Sequence, residues 1–334
     1  MEVVSVAEPG APGPGQVLVR PEAVGLCGSD FHYFLGDIGT IEDPSVLYPR
    51  IQGHEAAGTI LDVGPDCDAG LAAGMRVALW PVSSCGRCYA CSIGRGNACV
   101  NISLIGVHQD GALQQQLLLP AEQVFPVGDQ DPAVAAVIEP VSIAVRTVVR
   151  GRVAAGERVV VLGAGPIGQA LALAATDRGA SVLLVDTLES RLARAVAIGV
   201  DTLQVSPDES FVAAAREWAG GDGPEVVIEA SGVAALVQPS VELVAQAGRV
   251  VVVSLSSEHA PVRVGDLPLK EIDVLGVSCC GSGEFADAVD LVGRRREAAA
   301  ALVTHEFELE RTAEAMEYAM SHPAEVMKAV VRLP

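Results

Sequence analysis

The sequence predicts a two-domain α/β protein in which an N-terminal β lobe is joined to a doubly wound parallel sheet. The chain has 334 residues, which is long for a single hydrophobic core. Half of the residues are hydrophobic and only 4% are aromatic, a composition typical of an ordered α/β protein. The pattern of the sequence also changes near residue 130, from short apolar runs to alternating strands and helices. These observations indicate two domains of different construction.

The first domain is predicted to cover residues 1–128 and to be an all-β lobe. Its short apolar runs are separated by turn residues, mainly glycine and proline, which is the pattern of antiparallel strands. The clearest of these runs are QVLVR, AAGTILDVG and MRVALWPV.

The second domain is predicted to cover residues 129–266. Its first segment, AVAAVIEPVSIAVRTVV, is expected to be helical, with a kink or a new helix at Pro140. Continuous runs of Val, Ile and Leu joined by amphipathic helices are typical of buried parallel strands. Such an alternation follows here as ERVVVLGAG, PIGQALALAATDRG, SVLLVD, SRLARAVAIG, PEVVIEAS and GRVVVVSLS. Residues 267–334 are expected to add a strand (IDVLGVSCC) and helices, and to fold back onto the first lobe.

Four cysteines lie in one short stretch, CGRCYACSIGRGNAC, and predict a zinc site. Thiolates at this spacing on a glycine-containing loop can converge on one tetrahedral ion. Because all the ligands are local, the ion would be fully enclosed, with no open position for a substrate. The sequence therefore predicts a structural zinc bound by Cys85, Cys88, Cys91 and Cys99.

The charge of the chain limits its partners. The formal net charge of −20 disfavours binding to nucleic acid or to anionic membranes, and so excludes a zinc-ribbon protein that binds DNA. No apolar run is expected to be long and clean enough to span a bilayer, and MEVVSVAEPG lacks the features of a signal peptide. We therefore expect a cytoplasmic protein with ordinary thiols at Cys67, Cys279 and Cys280.

A glycine motif between a predicted strand and helix indicates a dinucleotide site. Gly163, Gly165 and Gly168 form G-x-G-x-x-G, with Pro166 and Ile167 between the last two glycines. The first glycine allows a tight turn, the second allows a pyrophosphate to approach the backbone, and the third allows close packing of helix and strand. The N–H groups at the start of the helix then face the phosphates.

An acidic residue follows at the distance expected for ribose recognition. Asp186 ends the next predicted strand, about 20 residues after the glycines. A carboxylate there accepts hydrogen bonds from both ribose hydroxyls and repels a 2′-phosphate, which favours NAD over NADP. Arg191 is placed either to line the adenosine pocket or to lie on the surface.

Two further segments contain candidate ligands for a catalytic metal. Cys27 lies in GLCGSDFH, and His54 and Glu55 follow in GHE. A thiolate, an imidazole and a carboxylate together form a zinc site of the catalytic type, with one position left for water or substrate. Each residue alone is a weak signal.

Taken in order, these motifs are similar to those of the zinc-dependent medium-chain alcohol dehydrogenases. The matching series is Cys-Gly-Ser-Asp-x-His, Gly-His-Glu, the four-cysteine lobe, Glu-Pro and G-x-G-x-x-G. The sequence most resembles the polyol and sugar-acid branch, which includes sorbitol, threonine and L-galactonate or L-gulonate 5-dehydrogenases. The resemblance implies a GroES-like β lobe with both zinc sites, followed by a Rossmann domain.

The resemblance also implies roles for individual residues. Cys27 and His54 are expected to be zinc ligands, and Glu55 and Glu139 both remain candidates for the third position. The proton of the substrate is expected to leave through Ser29, then through the nicotinamide ribose, and then through His32 to solvent.

The implied activity is hydride transfer from a secondary alcohol, a polyol or sugar acid, to NAD in an enzyme with two zinc ions per subunit. A homodimer or homotetramer is implied, with its contact formed by the strand IDVLGVSCC. A dehydrogenase of a simple secondary alcohol and a non-catalytic dinucleotide-binding or redox-sensing protein remain alternatives. A metal-independent quinone reductase would lack the ligands present here.

Overall fold

The computed structural model describes residues 1–36, 48–68, 70–206 and 209–334. The N-terminal part of the chain forms short strands, as the apolar runs predict. Their bounds are β1 Gln16–Gly25, β2 Glu55–Val63, β3 Arg76–Leu79, β4 Val82–Ser83, β5 Ser103–Leu104, β6 Leu117–Pro120 and β7 Val124–Pro126. The helices of this part are α1 Gly28–Leu35, α2 Tyr89–Ser92, α3 Pro132–Ala136 and α4 Ile138–Arg150.

Strands and helices then alternate along the chain. They are β8 Arg158–Leu162, α5 Pro166–Asp177, β9 Ser181–Asp186, α6 Glu189–Ala197, β10 Asp201–Gln204, α7 Val212–Trp218, β11 Val226–Glu229, α8 Val237–Leu243, β12 Arg249–Val252, α9 Asp266–Lys270 and β13 Asp273–Gly276. The C-terminal elements are α10 Ser282–Arg294, α11 Arg296–Ala300, β14 Val303–Glu308, α12 Thr312–Ser321 and β15 Lys328–Arg332.

The first sheet is mostly antiparallel and follows the order β14-β15-β1-β2-β3-β7, with β6 also paired to β1. Its long central strand β1 pairs with β6 through its first half and with β15 through its second half. Side chains alternate between the two faces of a strand, so Val17 and Val19 of β1 face one buried core, and the register shift between Pro21 and Ala23 brings Val24 into the same core. This pairing joins the C-terminal strand to the N-terminal lobe.

The first lobe is not all β, because the segment after β1 forms the eight-residue helix α1. The backbone N–H of Cys27, the residue before the helix, donates to Asp30 Oδ2 at 3.0 Å. This bond satisfies a free N–H group at the start of the helix. Gly36 ends the helix with a φ of 73°, a left-handed conformation that glycine adopts without strain.

The second sheet has the strand order β10-β9-β8-β11-β12-β13, and all its neighbouring strands are parallel. Counted from β8, this is the order 3-2-1-4-5-6 of dinucleotide-binding domains, which confirms the predicted fold class. The order in which strands are added to the sheet reverses between β8 and β11, so a crevice is expected beyond their carboxyl ends.

The chain divides into two compact units, one made of Met1–Ser142 with Cys279–Pro334 and the other of Ile143–Ser278. Both divisions lie 12 to 14 residues beyond the sequence-based boundaries at 128 and 266. The first boundary differs from the predicted one because helix α3 contacts β1, β2 and β3 of the N-terminal sheet. The second differs because β13 extends the parallel sheet next to β12.

One helical stretch, Pro132–Arg150, is long and apolar enough to cross a membrane by length and composition, which corrects the expectation that no run of this kind exists. Within it, α3 ends before Val137, and Pro140 lies in the first turn of α4, where proline is tolerated. The structure buries 72% of this stretch. A mostly buried stretch of this kind is typical of a helix in the core of a protein.

Candidate active site

Three of the predicted metal ligands lie together in the first unit. Cys27, His54 and Glu55 each offer a ligand atom, and these three atoms lie within 4.8 Å of one another. The pairing of β1 with β2 explains this, because Gly25 is the register partner of Glu55. A Cβ atom at position 25 would overlap Glu55 Oε2, so glycine leaves room for the carboxylate. A half-buried thiol with a buried imidazole and a buried carboxylate is a donor set that suits zinc.

The charge of the Asp30 side chain acts on the nearby His54 imidazole. Asp30 is 1% exposed, and its Oδ1 lies 3.9 Å from His54 Nδ1. Burial acts to lower the pKa of His54, but the charges of Asp30 and Cys27 outweigh it, so this pKa lies well above its usual value. A carboxylate behind a metal-binding histidine orients the ring and increases its basicity. In the sequence Asp30 stands out only as part of a motif, and its place beside His54 was not predicted.

Lys328 is a second residue that the sequence reasoning missed. It lies on β15, is 4% exposed, and its Nζ is 2.7 Å from both oxygens of the Glu55 carboxylate. It donates to Glu55 Oε1 and to the carbonyl oxygen of Leu26, and Oε2 keeps its lone pairs for another partner. Burial acts to lower the pKa of Lys328, but Glu55 and Cys27 outweigh it, and the pKa is raised. The only sequence signal is a lysine within the apolar run VMKAVV.

Replacing Lys328 with methionine should lower the free energy of unfolding by about 3–5 kcal/mol, because it leaves the buried Glu55 carboxylate without its counter-charge. The double variant Lys328→Met with Glu55→Gln should recover part of this loss, since no buried charge is then left unpaired. Denaturant unfolding measures both effects. As a control, Lys270→Met removes a lysine that caps carbonyl groups at the end of α8 and should cost about 1 kcal/mol. Equal losses for the two lysines would contradict this account of Lys328.

Glu139, the other candidate ligand, lies outside the group of three in the described part of the chain. It is buried in the first turn of α4. Burial raises the pKa of Glu139 to about 7, with the His54 charge opposing this shift and the Glu55 charge adding to it. These electrostatic interactions show that Glu139 lies near the cluster. The geometry therefore favours Glu55 as the third donor, with Glu139 beside it.

The two residues of the predicted proton path lie on helix α1. Ser29 is half-buried and His32 is exposed, and they are three residues apart. Residues at this spacing share one face of a helix. The order from half-buried hydroxyl to exposed imidazole suits a path from the site to solvent.

The four cysteines also converge. Their Sγ atoms all lie within 4.8 Å of one another, and they belong to Cys85, Cys88, Cys91 and Cys99. The short β4–β5 pair lies at the base of this loop. Cys99 Sγ accepts hydrogen bonds from the backbone N–H groups of Cys85 and Asn101, each at 3.3 Å. The backbone N–H of Arg87 is the main cause that lowers the pKa of Cys85 to about 6. Such N–H donors stabilise thiolates, which are the form that binds zinc.

The glycine loop of the second unit has the shape of a phosphate cradle. Gly163 has a φ of 99°, in the left-handed region. A Cβ at Gly168 would collide with the carbonyl oxygen of Gly163, whereas a Cβ at Gly165 would meet only Arg191 NH1, at 3.9 Å. Helix α5 then begins with Pro166 and Ile167. The space above Gly165 is therefore open to a pyrophosphate, and the residues fit a dinucleotide.

Asp186 lies at the end of β9, beside this loop. Its Oδ2 accepts from the N–H of Ala164 at 2.6 Å, and its Oδ1 accepts from the N–H of Leu188 at 2.9 Å. Arg191 NH1 lies 3.8 Å from Oδ2. Each carboxylate oxygen still has a second lone pair, so the side chain can accept from two ribose hydroxyls.

Comparisons with known proteins agree with this arrangement. Residues 13–129 match the alcohol dehydrogenase GroES-like domain, and residues 166–294 match the zinc-binding dehydrogenase domain. L-galactonate-5-dehydrogenase of Escherichia coli K12 is 34% identical over 321 residues, which cover 96% of this chain and 92% of that protein. The chain belongs to the zinc-type alcohol dehydrogenase family. The predicted family and enzyme class are thus confirmed.

Other dehydrogenases show the same likeness. Sorbitol dehydrogenase of Ovis aries is 35% identical over 319 residues, which cover 92% of this chain and 86% of that protein. A crystal structure of a short-chain alcohol dehydrogenase from E. coli CFT073, complexed with NADH, has a TM-score of 0.85 at 28% identity. A zinc-binding dehydrogenase from Sinorhizobium meliloti 1021, bound to NADP, has a TM-score of 0.86 at 30% identity. Each of these two matches covers 98% of this chain and 94% of the other.

Proposed function

We propose that this zinc-type dehydrogenase oxidises a secondary hydroxyl of a polyol or sugar acid to a ketone, with NAD as the hydride acceptor. The observation that carries the proposal is the convergence of Cys27, His54 and Glu55, whose ligand atoms lie within 4.8 Å of one another. The substrate class is supported by the relatives that are named as L-galactonate and sorbitol dehydrogenases.

Cys27, His54 and Glu55 would hold the catalytic zinc, and Glu139 is the alternative or exchanging carboxylate. When bound, zinc supplies a Lewis acid at the substrate hydroxyl, and NAD supplies the hydride acceptor. Cys27 and Glu55 bring two negative charges, and Lys328 offsets one of them. A second zinc is proposed for the four-cysteine cluster, which gives two ions per chain.

The substrate hydroxyl must lose a proton as its carbon loses a hydride. Ser29 accepts this proton in the proposed path, and His32 releases it to solvent. The support is their placement on helix α1, directly after the ligand Cys27. The ketone, the reduced cofactor and one released proton balance the reaction.

Asp186 supports a preference for NAD, because its carboxylate would repel the 2′-phosphate of NADP. Arg191 lies close enough to Asp186 to contact the adenosine side of the cofactor.

We also propose a cytoplasmic homo-oligomer. Strand β13 is the last strand of the parallel sheet, and Val274 on it is 45% exposed. A second copy could pair along this edge and cover the apolar side chain. Light scattering coupled to gel filtration should give a dimer or a tetramer, and a monomer mass would contradict this part of the proposal. The net charge of −20 supports the absence of nucleic-acid and membrane partners.

The activity is tested by NADH formation with a panel of polyols, aldonates and simple secondary alcohols, each assayed with NAD and with NADP. We expect activity with a polyol or an aldonate, and a higher kcat/KM with NAD than with NADP. Activity confined to simple alcohols would overturn the substrate class. The absence of any turnover by fully zinc-loaded protein would overturn the enzymatic function.

A further inference from the structure

A buried carboxylate lies at the carboxyl edge of the parallel sheet, outside the residues assigned above. Glu229 is the last residue of β11 and is 1% exposed. The loops that follow β11 and β12, residues 230–233 and 253–256, leave the sheet at this edge. In a doubly wound sheet, the crevice for a dinucleotide lies at this edge, where the strand order reverses.

Glu229 connects these two loops through both of its carboxylate oxygens. Oε1 accepts from the backbone N–H of Ser231 at 2.8 Å and from the Ser231 hydroxyl. Oε2 accepts from the hydroxyl of Ser254 in the next loop. The backbone N–H of Val233 in turn donates to Ser231 Oγ at 3.1 Å. Hydrogen bonds to an ionised carboxylate are stronger than neutral ones, so this group holds the loops firmly.

The first of these loops packs directly against the glycine turn. A Cβ placed on Gly163 would lie 2.9 Å from Ser231 Cα and 3.0 Å from Ser231 N. The two loops are also close to each other, because a Cβ on Gly232 would lie 3.7 Å from the Leu255 carbonyl oxygen. Residues 230–233 therefore lie between the cofactor turn and the neighbouring loop.

The two loops also present apolar side chains to solvent at this edge. Val233 is 49% exposed and Leu255 is 79% exposed. Exposed apolar groups beside a ligand crevice commonly pack against a bound ligand. Asp186 lies on the β8–β9–β10 side of the crevice, where the adenosine half of a dinucleotide binds. The loops after β11 and β12 lie on the other side, next to the second nucleotide half.

We propose that Glu229 is a positioning residue for the nicotinamide half of the cofactor, which it serves by tying the loops after β11 and β12 into one wall of the crevice. This inference rests on the proposed binding of NAD. Both carboxylate oxygens are taken up by the serine residues, so Glu229 acts through the loops. The apolar faces of Val233 and Leu255 are then fixed against the nicotinamide, while adenosine recognition depends on the other side of the sheet.

The test compares binding of NADH with binding of AMP, which carries only the adenosine half. Glu229→Gln should weaken NADH binding about ten-fold, since an amide cannot accept from all three donors, and it should leave AMP binding within about two-fold of the wild type. The KM for NAD should rise while kcat changes little. Fluorescence titration of the zinc-loaded full chain measures NADH binding, and calorimetry measures AMP binding. Ser254→Ala and Ser231→Ala should each cause a smaller loss in the same direction, and they carry the test if Glu229→Gln does not fold.

Glu225→Gln is the matched control. Glu225 lies just before the other end of β11 and forms an ion pair with Arg158 at 2.5 Å, so its replacement should reduce stability without changing NADH binding. NADH affinity equal to the wild type in folded Glu229→Gln and Ser254→Ala would overturn the inference. A parallel loss of AMP affinity would also overturn it, since the role would then be general support of the domain. Failure of the wild type to bind NADH would instead overturn the proposed function.

Discussion

Replacing Cys27 with serine should reduce NAD-dependent turnover by at least about 100-fold, the upper end of what loss of a supporting residue around a metal causes. Serine has a hydroxyl in place of the thiol. This hydroxyl stays protonated at neutral pH, so it does not replace the thiolate that zinc binds. NADH binding should be unchanged, because the glycine loop and Asp186 belong to the other compact unit. Steady-state kinetics and NADH titration measure the two effects.

Cys67→Ser is the matched control for this variant. Cys67 belongs to the same unit, and its Sγ lies 3.3 Å from the carbonyl oxygen of Gln16, away from the metal cluster. It should keep the activity and zinc content of the wild type. Undiminished turnover in Cys27→Ser would show that this residue is not a ligand of the catalytic zinc.

Replacing Gly168 with alanine should abolish measurable NADH binding and lower the free energy of unfolding by about 2–3 kcal/mol. The added Cβ would collide with the carbonyl oxygen of Gly163, a backbone atom that cannot move without changing the turn. Helix α5 could then no longer pack closely against the end of β8. NADH titration and denaturant unfolding measure the two losses.

Gly165→Ala separates the two parts of this effect. A Cβ there meets only Arg191 NH1 at 3.9 Å, so the unfolding free energy should change by less than about 1 kcal/mol. NADH binding should still weaken, because the methyl group fills the space that the pyrophosphate approaches. Wild-type NADH affinity in Gly168→Ala would contradict the assignment of this loop.

Features with a local sequence signal could be predicted. The parallel strands are continuous runs of buried residues, and the glycine and cysteine motifs are short, so their elements and geometry follow from neighbouring residues. Strand β10 has no such signal, because its residues are only partly buried or exposed at the edge of the sheet. Helix α1 was also missed, since it is only eight residues long and begins after Cys27, which is not a common helix-capping residue.

The remaining parts of the site depend on contacts between distant residues. Lys328 meets Glu55 across 273 residues of sequence, only because β15 pairs with β1. The choice between Glu55 and Glu139 likewise depends on how α4 lies beside β2, which no local pattern specifies. The domain boundaries in the structure differ from the predicted ones for the same reason, since they depend on the packing of α3 and the pairing of β13.

The central claim is that a zinc held by Cys27, His54 and Glu55 is required for alcohol oxidation by this protein. It is tested most directly by removing zinc and adding it back while metal content and NADH formation are measured together. We predict two zinc ions per chain, with activity returning only as the second ion binds, and never in Cys27→Ser, which should retain one ion. Full NADH formation by protein with zinc in the four-cysteine cluster alone would contradict the account.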